Sequence, residues 1–111
     1  VHLGIYEGEE LIACSSWIPQ TWPLDETLPA IQLKGMAVTK RMQGSGIGAE
    51  LLNAGVRHCK EEGAQYIWAR ARDSALNFYT RNGFDVFGEQ FVDEATGMSH
   101  HLVMKVVTRQ S

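Results

Sequence analysis

The segment 30–63, AIQLKGMAVTKRMQGSGIGAELLNAGVRHCKEEG, contains the change of pattern that decides the fold. Its first part, Ala30–Val38, has the apolar spacing of a strand, with Gly35 as a possible bulge. After three glycines in residues 44–48, apolar residues recur at helical spacing and predict an amphipathic helix. Gly63 fits the position just after the end of that helix. A strand, a glycine-rich turn and a helix therefore follow one another.

The sequence on both sides of this segment predicts five more strands and a second helix. The strands are predicted at residues 1–6, 11–18, 66–71, 85–92 and 101–107. The second helix is predicted to run from Asp73 or Ser74, either of which can cap it, to Asn82, with Gly83 just after its end. A turn is predicted at residues 93–98. The order β-β-β-α-β-α-β-β predicts one α/β (α+β) domain over residues 1–111, with a mixed, mostly antiparallel central sheet of about six strands and two helices.

Composition narrows the class of protein. The chain has 111 residues, 44% of them hydrophobic, and a formal net charge of -3. A mildly acidic chain without a basic run does not favour nucleic-acid binding, and no apolar stretch is long enough to span a membrane. There is no secretion-signal pattern. Cys14 and Cys59 form no CxxC motif and are predicted to be small buried residues, which favours a cytoplasmic protein without a metal.

The glycine-rich turn, Gln43-Gly44-Ser45-Gly46-Ile47-Gly48, has the local chemistry of an anion site. A helix N-terminus leaves backbone N–H groups unpaired, and glycines let a phosphate approach them closely. The spacing GxGxG fits neither the GxxxxGK[ST] phosphate loop nor the GxGxxG dinucleotide fingerprint. The other interpretation is that the glycines only permit a tight turn and close packing of the helix.

Two motifs together resemble the GNAT superfamily of acetyl-CoA-dependent N-acetyltransferases. Val38 followed by Gln43-x-x-Gly46-x-Gly48 resembles the family's Q/R-x-x-G-x-G/A signature. Arg41-x-x-Gly44-x-Gly46 also fits formally, but the Gln43 register suits Val38 and Ile47 better. The segment 75–84, ALNFYTRNGF, resembles the family's A-x-x-F-Y-x-x-x-G-F helix. The resemblance covers about residues 1–107 and implies a GNAT-like fold.

The resemblance also implies a cosubstrate, acetyl-CoA, and the residues that hold it. The strand after the first helix is expected to splay away from the strand before it and leave a wedge. The implied cofactor-binding residues are Met36, Ala37 and Val38 for the pantetheine arm, and Gln43, Gly44, Ser45, Gly46, Ile47, Gly48 and Ala49 for the pyrophosphate. Arg72 is expected at the wedge, and Asn77 corresponds to a position that often contacts the cofactor arm. Tyr79 corresponds to the general acid that protonates the leaving thiolate, and a backbone N–H near Ala37 to the group that stabilises the oxyanion.

The function implied is transfer of an acetyl group to an amine of a small molecule or peptide. The other interpretations are a core role for Tyr79, an exposed position for Asn77, and a non-catalytic acyl-CoA-binding or sensing module. A metal site using His2, His100 and a carboxylate has no supporting spacing. The candidate bases, among which no spacing selects one, are Glu7, Glu9, Glu10, Asp93, Glu94 and the histidines.

The sequence departs from the family pattern at its beginning. Family members usually carry a strand and one or two helices before the hairpin that opens this chain, and these elements are missing here. The strand predicted at residues 1–6 is then a bare sheet edge, which pairing with a second copy would cover. The sequence therefore predicts a homodimer.

Overall fold

The computed structural model describes residues 1–92, 94 and 97–107. Within them, the strands are β1 His2–Glu7, β2 Glu10–Pro19, β3 Ile31–Val38, β4 Tyr66–Arg72, β5 Asp85–Val92 and β6 Ser99–Val106. The helices are α1 Ile47–Glu61 and α2 Leu76–Arg81, each preceded by a short 3₁₀ turn, at Lys40–Met42 and Asp73–Ala75. The predicted order of elements is confirmed. Part of the turn predicted at 93–98 lies outside the described residues.

The strands form one sheet in the order β1-β2-β3-β4-β6-β5. All neighbouring pairs are antiparallel except β3 and β4, which run parallel. The parallel pairing is limited to Ile31 with Ile67 and Gln32 with Trp68, after which β3 and β4 no longer pair. Both strands continue for several residues beyond this point. The expected wedge is therefore present, and the backbone edges that face it have no strand partner.

A bulge in β3 lies beside this wedge. Ser16 pairs with Gly35, whereas the next residue, Trp17, pairs with Leu33, so that Lys34 is the extra residue. The bulge predicted at Gly35 is therefore present one residue earlier, at Lys34. A bulge bends the strand and changes the direction of its side chains, which is common next to binding sites.

Helix α1 packs very closely on one face of the sheet. It buries Leu51, Leu52 and Cys59, and Trp17 of β2 is 1% exposed beneath it. A Cβ added at Gly55 would lie 1.9 Å from Cζ2 of Trp17, so only glycine fits at this position. This role of Gly55 has no local signal in the sequence, because the contact joins two elements far apart in the chain.

A second apolar cluster forms on the opposite face of the sheet. Adjacent residues of a strand point to opposite faces, and Ile67 packs in the cluster under the helices whereas Trp68 packs with Trp22, Ala30 and Met104. The rings of Trp22 and Trp68 meet edge to face with centroids 5.9 Å apart. This cluster holds the loop between β2 and β3 against the sheet.

Two local predictions are wrong. Cys14 is exposed, because the alternation of β2 buries its neighbours Ala13 and Ser15 instead. Cys59 is buried as predicted, and burial raises the pKa of its thiol to about 11.

Neither Asp73 nor Ser74 caps α2, whose N-cap is Ala75 with no side-chain hydrogen bond.

The predicted end of α2 is confirmed. Gly83 has a φ of 90°, and the N–H of Phe84 donates to the carbonyl of Tyr79 at 3.0 Å. The rings of Phe84 and Tyr79 pack edge to face with centroids 5.3 Å apart. This closure fixes Tyr79 against the core.

Candidate functional site

The glycine turn presents an open helix N-terminus. Gly44 and Gly46 have φ values of 82° and 90°, a conformation that favours glycine. Gly46 is the N-cap of α1, and no side chain bonds the helix N–H groups there. A Cβ added at Gly44 or Gly46 would meet nothing within 4 Å. Close packing therefore does not explain these two glycines, and unpaired N–H groups remain for an anion.

Side chains in the turn tie it to the end of β3. The Gln43 Nε2 donates a hydrogen bond to the carbonyl of Val38 at 3.2 Å, and the Ser45 hydroxyl donates to the carbonyl of Met42. Arg41, by contrast, pairs with Glu10 and lies 3.6 Å from Glu7. This arrangement supports the Gln43 register of the signature over the Arg41 register.

A cavity of about 860 Å³ lies over this turn and will be called the glycine cavity. Its walls come from the end of β3, the glycine turn, the start of α1 and one side of α2. The lining residues are Met36, Val38, Met42, Gln43, Gly44, Gly46, Gly48, Ala49, Ser74, Ala75, Phe78, Arg81 and Asn82. Backbone groups and small or apolar side chains form most of this lining.

A second cavity, of about 760 Å³, lies between the parted ends of β3 and β4 and will be called the cation cavity. Its lining residues are Gln32, Leu33, Lys34, Gly35, Met36, Gln43, Arg70, Ala71, Arg72, Ser74, Ala75, Tyr79 and His100. Met36, Gln43, Ser74 and Ala75 line both cavities. The two cavities therefore adjoin each other at the gap between β3 and β4.

Tyr79 belongs to the core and also lines the cation cavity. It is 9% exposed, and its ring packs edge to face against Phe78 and Phe84 at centroid distances of 5.5 and 5.3 Å. Burial raises the pKa of its phenol, so the hydroxyl keeps its proton at neutral pH. A core role and a role at the cavity are therefore compatible for Tyr79. Its ring packs between Phe78 and Phe84, and the residue still lines the cation cavity.

His100 and His101 lie on opposite faces of β6. His100 lines the cation cavity, is 6% exposed, and has its Nδ1 2.9 Å from the carbonyl of Met98. Its ring stacks on Phe91 with centroids 5.7 Å apart and an angle of 22°. His101 instead places its Nδ1 2.8 Å from Oδ1 of Asp73.

The Asp73 carboxylate anchors the 3₁₀ turn that precedes α2. Partial burial raises the pKa of this carboxyl, but hydrogen bonds from His101 and Gln90 outweigh it, so the pKa is below its usual value. Ser74 and Ala75, which line both cavities, follow Asp73 directly. The contact with β6 therefore positions the segment at which the cavities meet.

The predicted site residues fall into three groups. Those that line the glycine cavity are Met36, Val38, Gln43, Gly44, Gly46, Gly48 and Ala49. Arg72 and Tyr79 line the cation cavity, as do Met36 and Gln43. Ala37, Ser45, Ile47 and Asn77 line neither cavity, and the side chain of Asn77 is exposed.

Lys34 and Arg70 were not among the predicted site residues, and His100 was one of several candidate bases. The alternation of β4 and β6 brings Arg70 and His100 to the gap from one side, and the bulge in β3 brings Lys34 to it from the other. Among the described candidate bases, His100 is the one that lines either cavity. Asp93 lies outside the described residues.

The described residues contain no group of three or more His, Cys, Asp and Glu side chains that could hold a metal ion. His2, considered for such a site, places its Nδ1 2.8 Å from the hydroxyl of Ser16. In the same part of the chain, no helix combines the length and the apolar character needed to cross a membrane.

A sequence profile of the acetyltransferase (GNAT) family matches residues 1–84. The chain belongs to this family. It is 31% identical over 110 residues to the uncharacterized N-acetyltransferase YitI of Bacillus subtilis strain 168, covering 99% of this chain and 72% of that protein. The predicted family and enzyme class, a GNAT N-acetyltransferase, are confirmed.

Solved structures share the fold. An aminoglycoside 6'-N-acetyltransferase complexed with coenzyme A matches with a TM-score of 0.80 and 13% identity, over 99% of this chain and 74% of that one. A Lactobacillus plantarum protein provisionally described as an N-acetyltransferase matches with a TM-score of 0.78 and 19% identity. That match covers 92% of this GNAT chain but 64% of the Lactobacillus chain. The predicted GNAT fold is thus confirmed.

Proposed function

We propose that this GNAT chain transfers an acetyl group from acetyl-CoA to an amine of a small molecule or peptide. One observation carries the proposal: the uncapped N-terminus of α1, at an open glycine turn, adjoins the gap between β3 and β4. Unpaired N–H groups at a helix N-terminus bind phosphate, and an unpaired strand edge can bind an extended amide chain. The GNAT family uses acetyl-CoA, which contains both groups.

The proposal assigns each part of acetyl-CoA to a group of described residues. The turn from Gln43 to Ala49 would hold the pyrophosphate, with Gly44 and Gly46 leaving open space for it. The β4-facing edge of Met36, Ala37 and Val38 would hold the pantetheine arm. Arg72, which lines the cation cavity, and Asn77, which is exposed on α2, are proposed as further contacts. The acyl-CoA supplies a thioester, whose carbonyl carbon the acceptor amine attacks.

Tyr79 is proposed as the general acid. As the carbon–sulfur bond breaks, its hydroxyl gives a proton to the departing sulfur, and the proton released from the new amide nitrogen restores the phenol. Burial raises the pKa of Tyr79 and keeps this proton in place at neutral pH. The backbone N–H near Ala37 stabilises the negative charge that develops on the carbonyl oxygen. Positioned proton donors of this kind contribute about 10²–10⁴-fold to the rate.

Two measurements test the proposal. Calorimetry should show acetyl-CoA binding, and thiol release should follow when a panel of amines is added. Lack of acetyl-CoA binding at millimolar concentration would contradict the proposal. Binding without thiol release for any amine would support the non-catalytic acyl-CoA-binding module instead.

A homodimer is proposed through the edge strand β1. This strand ends the sheet, and its Tyr6 side chain and that of Val1, which precedes it, are exposed. Exposed sheet edges tend to pair with further strands. Size-exclusion chromatography with light scattering tests the dimer, and a monomer at all concentrations would refute it.

A further inference from the structure

We infer that the acceptor is a small amino acid in the broad sense, an amine with a carboxylate, and that Lys34 and Arg70 bind its carboxylate in the cation cavity, beside Arg72. The inference rests on the proposed acetyl transfer and specifies its substrate. It concerns a part of the site that the family signature does not include, since Lys34 and Arg70 lie outside both motifs.

The charge of the cation cavity is the first argument. Three of its lining side chains are cationic, and none of its lining residues is Asp or Glu. The whole chain, however, carries a net charge of -3. Positive charge is thus concentrated at this cavity although the chain as a whole is acidic. The local positive charge attracts anions to the cavity.

The lack of internal partners is the second argument. Within the described residues, Lys34, Arg70 and Arg72 take part in no ion pair, whereas Arg41 pairs with Glu10. Glu94 shares a separate cavity of about 320 Å³ with Arg70 but is not within ion-pair distance of it. Neighbouring like charges repel each other, so an incoming anion is favoured at this position.

The position of the cations is the third argument. Arg72 pairs with His100 across β4 and β6, and Arg70 pairs with Leu102 two residues further along. Lys34 is the extra residue of the β3 bulge on the other side of the gap. Tyr79 lines the same cavity. An acceptor held by its carboxylate here would have its amine in the cavity that contains the proposed general acid.

Guanidinium groups suit this task. An Arg side chain binds a carboxylate through two parallel N–H···O bonds, which fix orientation as well as position. A phosphate of coenzyme A is the other anion that these cations could meet. Arg72, which the family resemblance assigns to the cofactor, lines the cation cavity and not the glycine cavity. The experiment must therefore separate an acceptor carboxylate from a cofactor phosphate.

The test compares matched acceptors and one charge-removing variant. Glycine and β-alanine are compared with glycinamide and β-alaninamide at equal concentrations of neutral amine. Each matched pair differs by one carboxylate, which the second member replaces with an amide. We expect kcat/KM to be at least about tenfold higher for the acceptor with the extra carboxylate. We also expect R70Q to lower that value about tenfold, with the KM for acetyl-CoA unchanged. R57Q, an exposed Arg of α1 that lines neither cavity, is the control.

Equal rates for the matched acceptors would overturn the inference. A rise in the KM for acetyl-CoA in R70Q, without loss of carboxylate preference, would also overturn it and assign the cations to a cofactor phosphate. An NMR titration with N-acetylglycine and N-acetylglycinamide tests the anion site without turnover. Tighter binding of the carboxylate, weakened by R70Q, supports the inference even if acetyl transfer fails, and equal binding refutes it.

A separate observation points to His100 as the group that takes the proton from the acceptor ammonium before attack. A carbonyl can only accept a hydrogen bond, so the 2.9 Å contact with Met98 requires a proton on Nδ1. The neutral ring then carries its free electron pair on Nε2. Stacking on Phe91 and 6% exposure fix the ring at the wall of the cation cavity.

The surroundings of His100 are mainly cationic. Arg72 of β4 and Lys34 of β3 line the same cavity, as does the neutral phenol of Tyr79. Asp73 is the acidic group in the adjoining 3₁₀ turn, and it is hydrogen-bonded to His101 and Gln90. In the step, the N–H bond of the ammonium breaks, Nε2 gains the proton, and the proton later passes to solvent.

The test uses H100Q with two acceptors that share a carboxylate, β-alanine and (aminooxy)acetate. The first has a protonated nitrogen at pH 7 and the second a neutral one. We expect H100Q to lower kcat/KM for β-alanine by about 10²-fold, to lower it much less for (aminooxy)acetate, and to change the acidic limb of the pH profile. Equal losses for both acceptors, or an unchanged acidic limb, would overturn the assignment. H58Q, on α1 and lining neither cavity, is the control.

Discussion

The glycine cavity and the cation cavity adjoin each other, yet they are built in different ways. Three glycines close together in sequence and mostly small or apolar residues line the first. Charged side chains from β3 and β4 and one histidine from β6 dominate the second. A backbone-built cavity binds a constant chemical group, whereas a side-chain-built cavity can change its specificity by substitution. The difference suits a fixed cosubstrate beside a variable acceptor.

Removal of the Tyr79 hydroxyl is expected to have the largest effect, because this residue is proposed to act where the cavities adjoin. Y79F should lower kcat by about 10²–10⁴-fold with little change in acetyl-CoA affinity. Because the pKa of Tyr79 is raised, kcat should not fall on the alkaline side below about pH 10. Steady-state kinetics over a pH range measures both. The exposed Tyr6 provides the control, Y6F, and an unchanged kcat in Y79F would reject the role.

Substitutions at two glycines of α1, Gly48 and Gly55, should affect acetyl-CoA binding and the stability of the fold separately. At Gly48 an added Cβ would meet Phe78 and Val38 at ordinary distances of 3.6 and 3.7 Å. G48A should therefore keep or raise the free energy of unfolding, by up to about 1 kcal/mol. It should also weaken acetyl-CoA binding, because the methyl group enters the glycine cavity. Calorimetry and urea denaturation measure the two effects.

G55A should do the opposite of G48A. Its Cβ would lie 1.9 Å from the ring of Trp17, so the helix must shift. We expect the free energy of unfolding to fall by about 1–3 kcal/mol. Acetyl-CoA affinity in the remaining folded protein should change less than in G48A. A stable G55A variant would mean that α1 does not pack as described.

The stabilising effect of the Asp73 carboxylate, which lies just before the segment shared by the two cavities, should decrease in acid. The pKa of Asp73 is lowered in the folded state, so its stabilising contribution is present above the ordinary pKa of about 3.9 and is lost as the pH falls below it. D73N should reduce thermal stability modestly at pH 7, and the difference from the unsubstituted chain should shrink in acid. Thermal denaturation at several pH values measures this. A difference that is constant with pH would show that the Asp73 charge does not contribute.

The smallest changes in acetyl-CoA binding are expected from substitutions of Arg81 and Asn77 in α2. Arg81 lines the glycine cavity, whereas the side chain of Asn77 is exposed and lines neither cavity. R81A should weaken acetyl-CoA binding severalfold, and N77A should change it less. Calorimetry measures both. A larger loss in N77A than in R81A would favour the contact that the family resemblance predicts for Asn77.

Much of the fold was predictable because its signals are local. Gly83 and Phe84 end α2 as expected, since the closing hydrogen bonds join residues within one turn. The cap predicted at Asp73 failed, because His101 and Gln90, distant in sequence, compete for its carboxylate. Cys14 was misplaced for a similar reason: the face of β2 that packs under the helices is set by its partners in the sheet.

The sequence alone determined the order of elements, the glycine turn and the family, because these depend on residues near one another in the chain. Only the tertiary structure decided that Lys34, Arg70 and His100 share a cavity with Tyr79. Their positions depend on the bulge in β3, on the short β3–β4 pairing and on the register of β4 with β6. Strand register joins distant residues, and a shift of one residue would turn each of these side chains to the other face of the sheet.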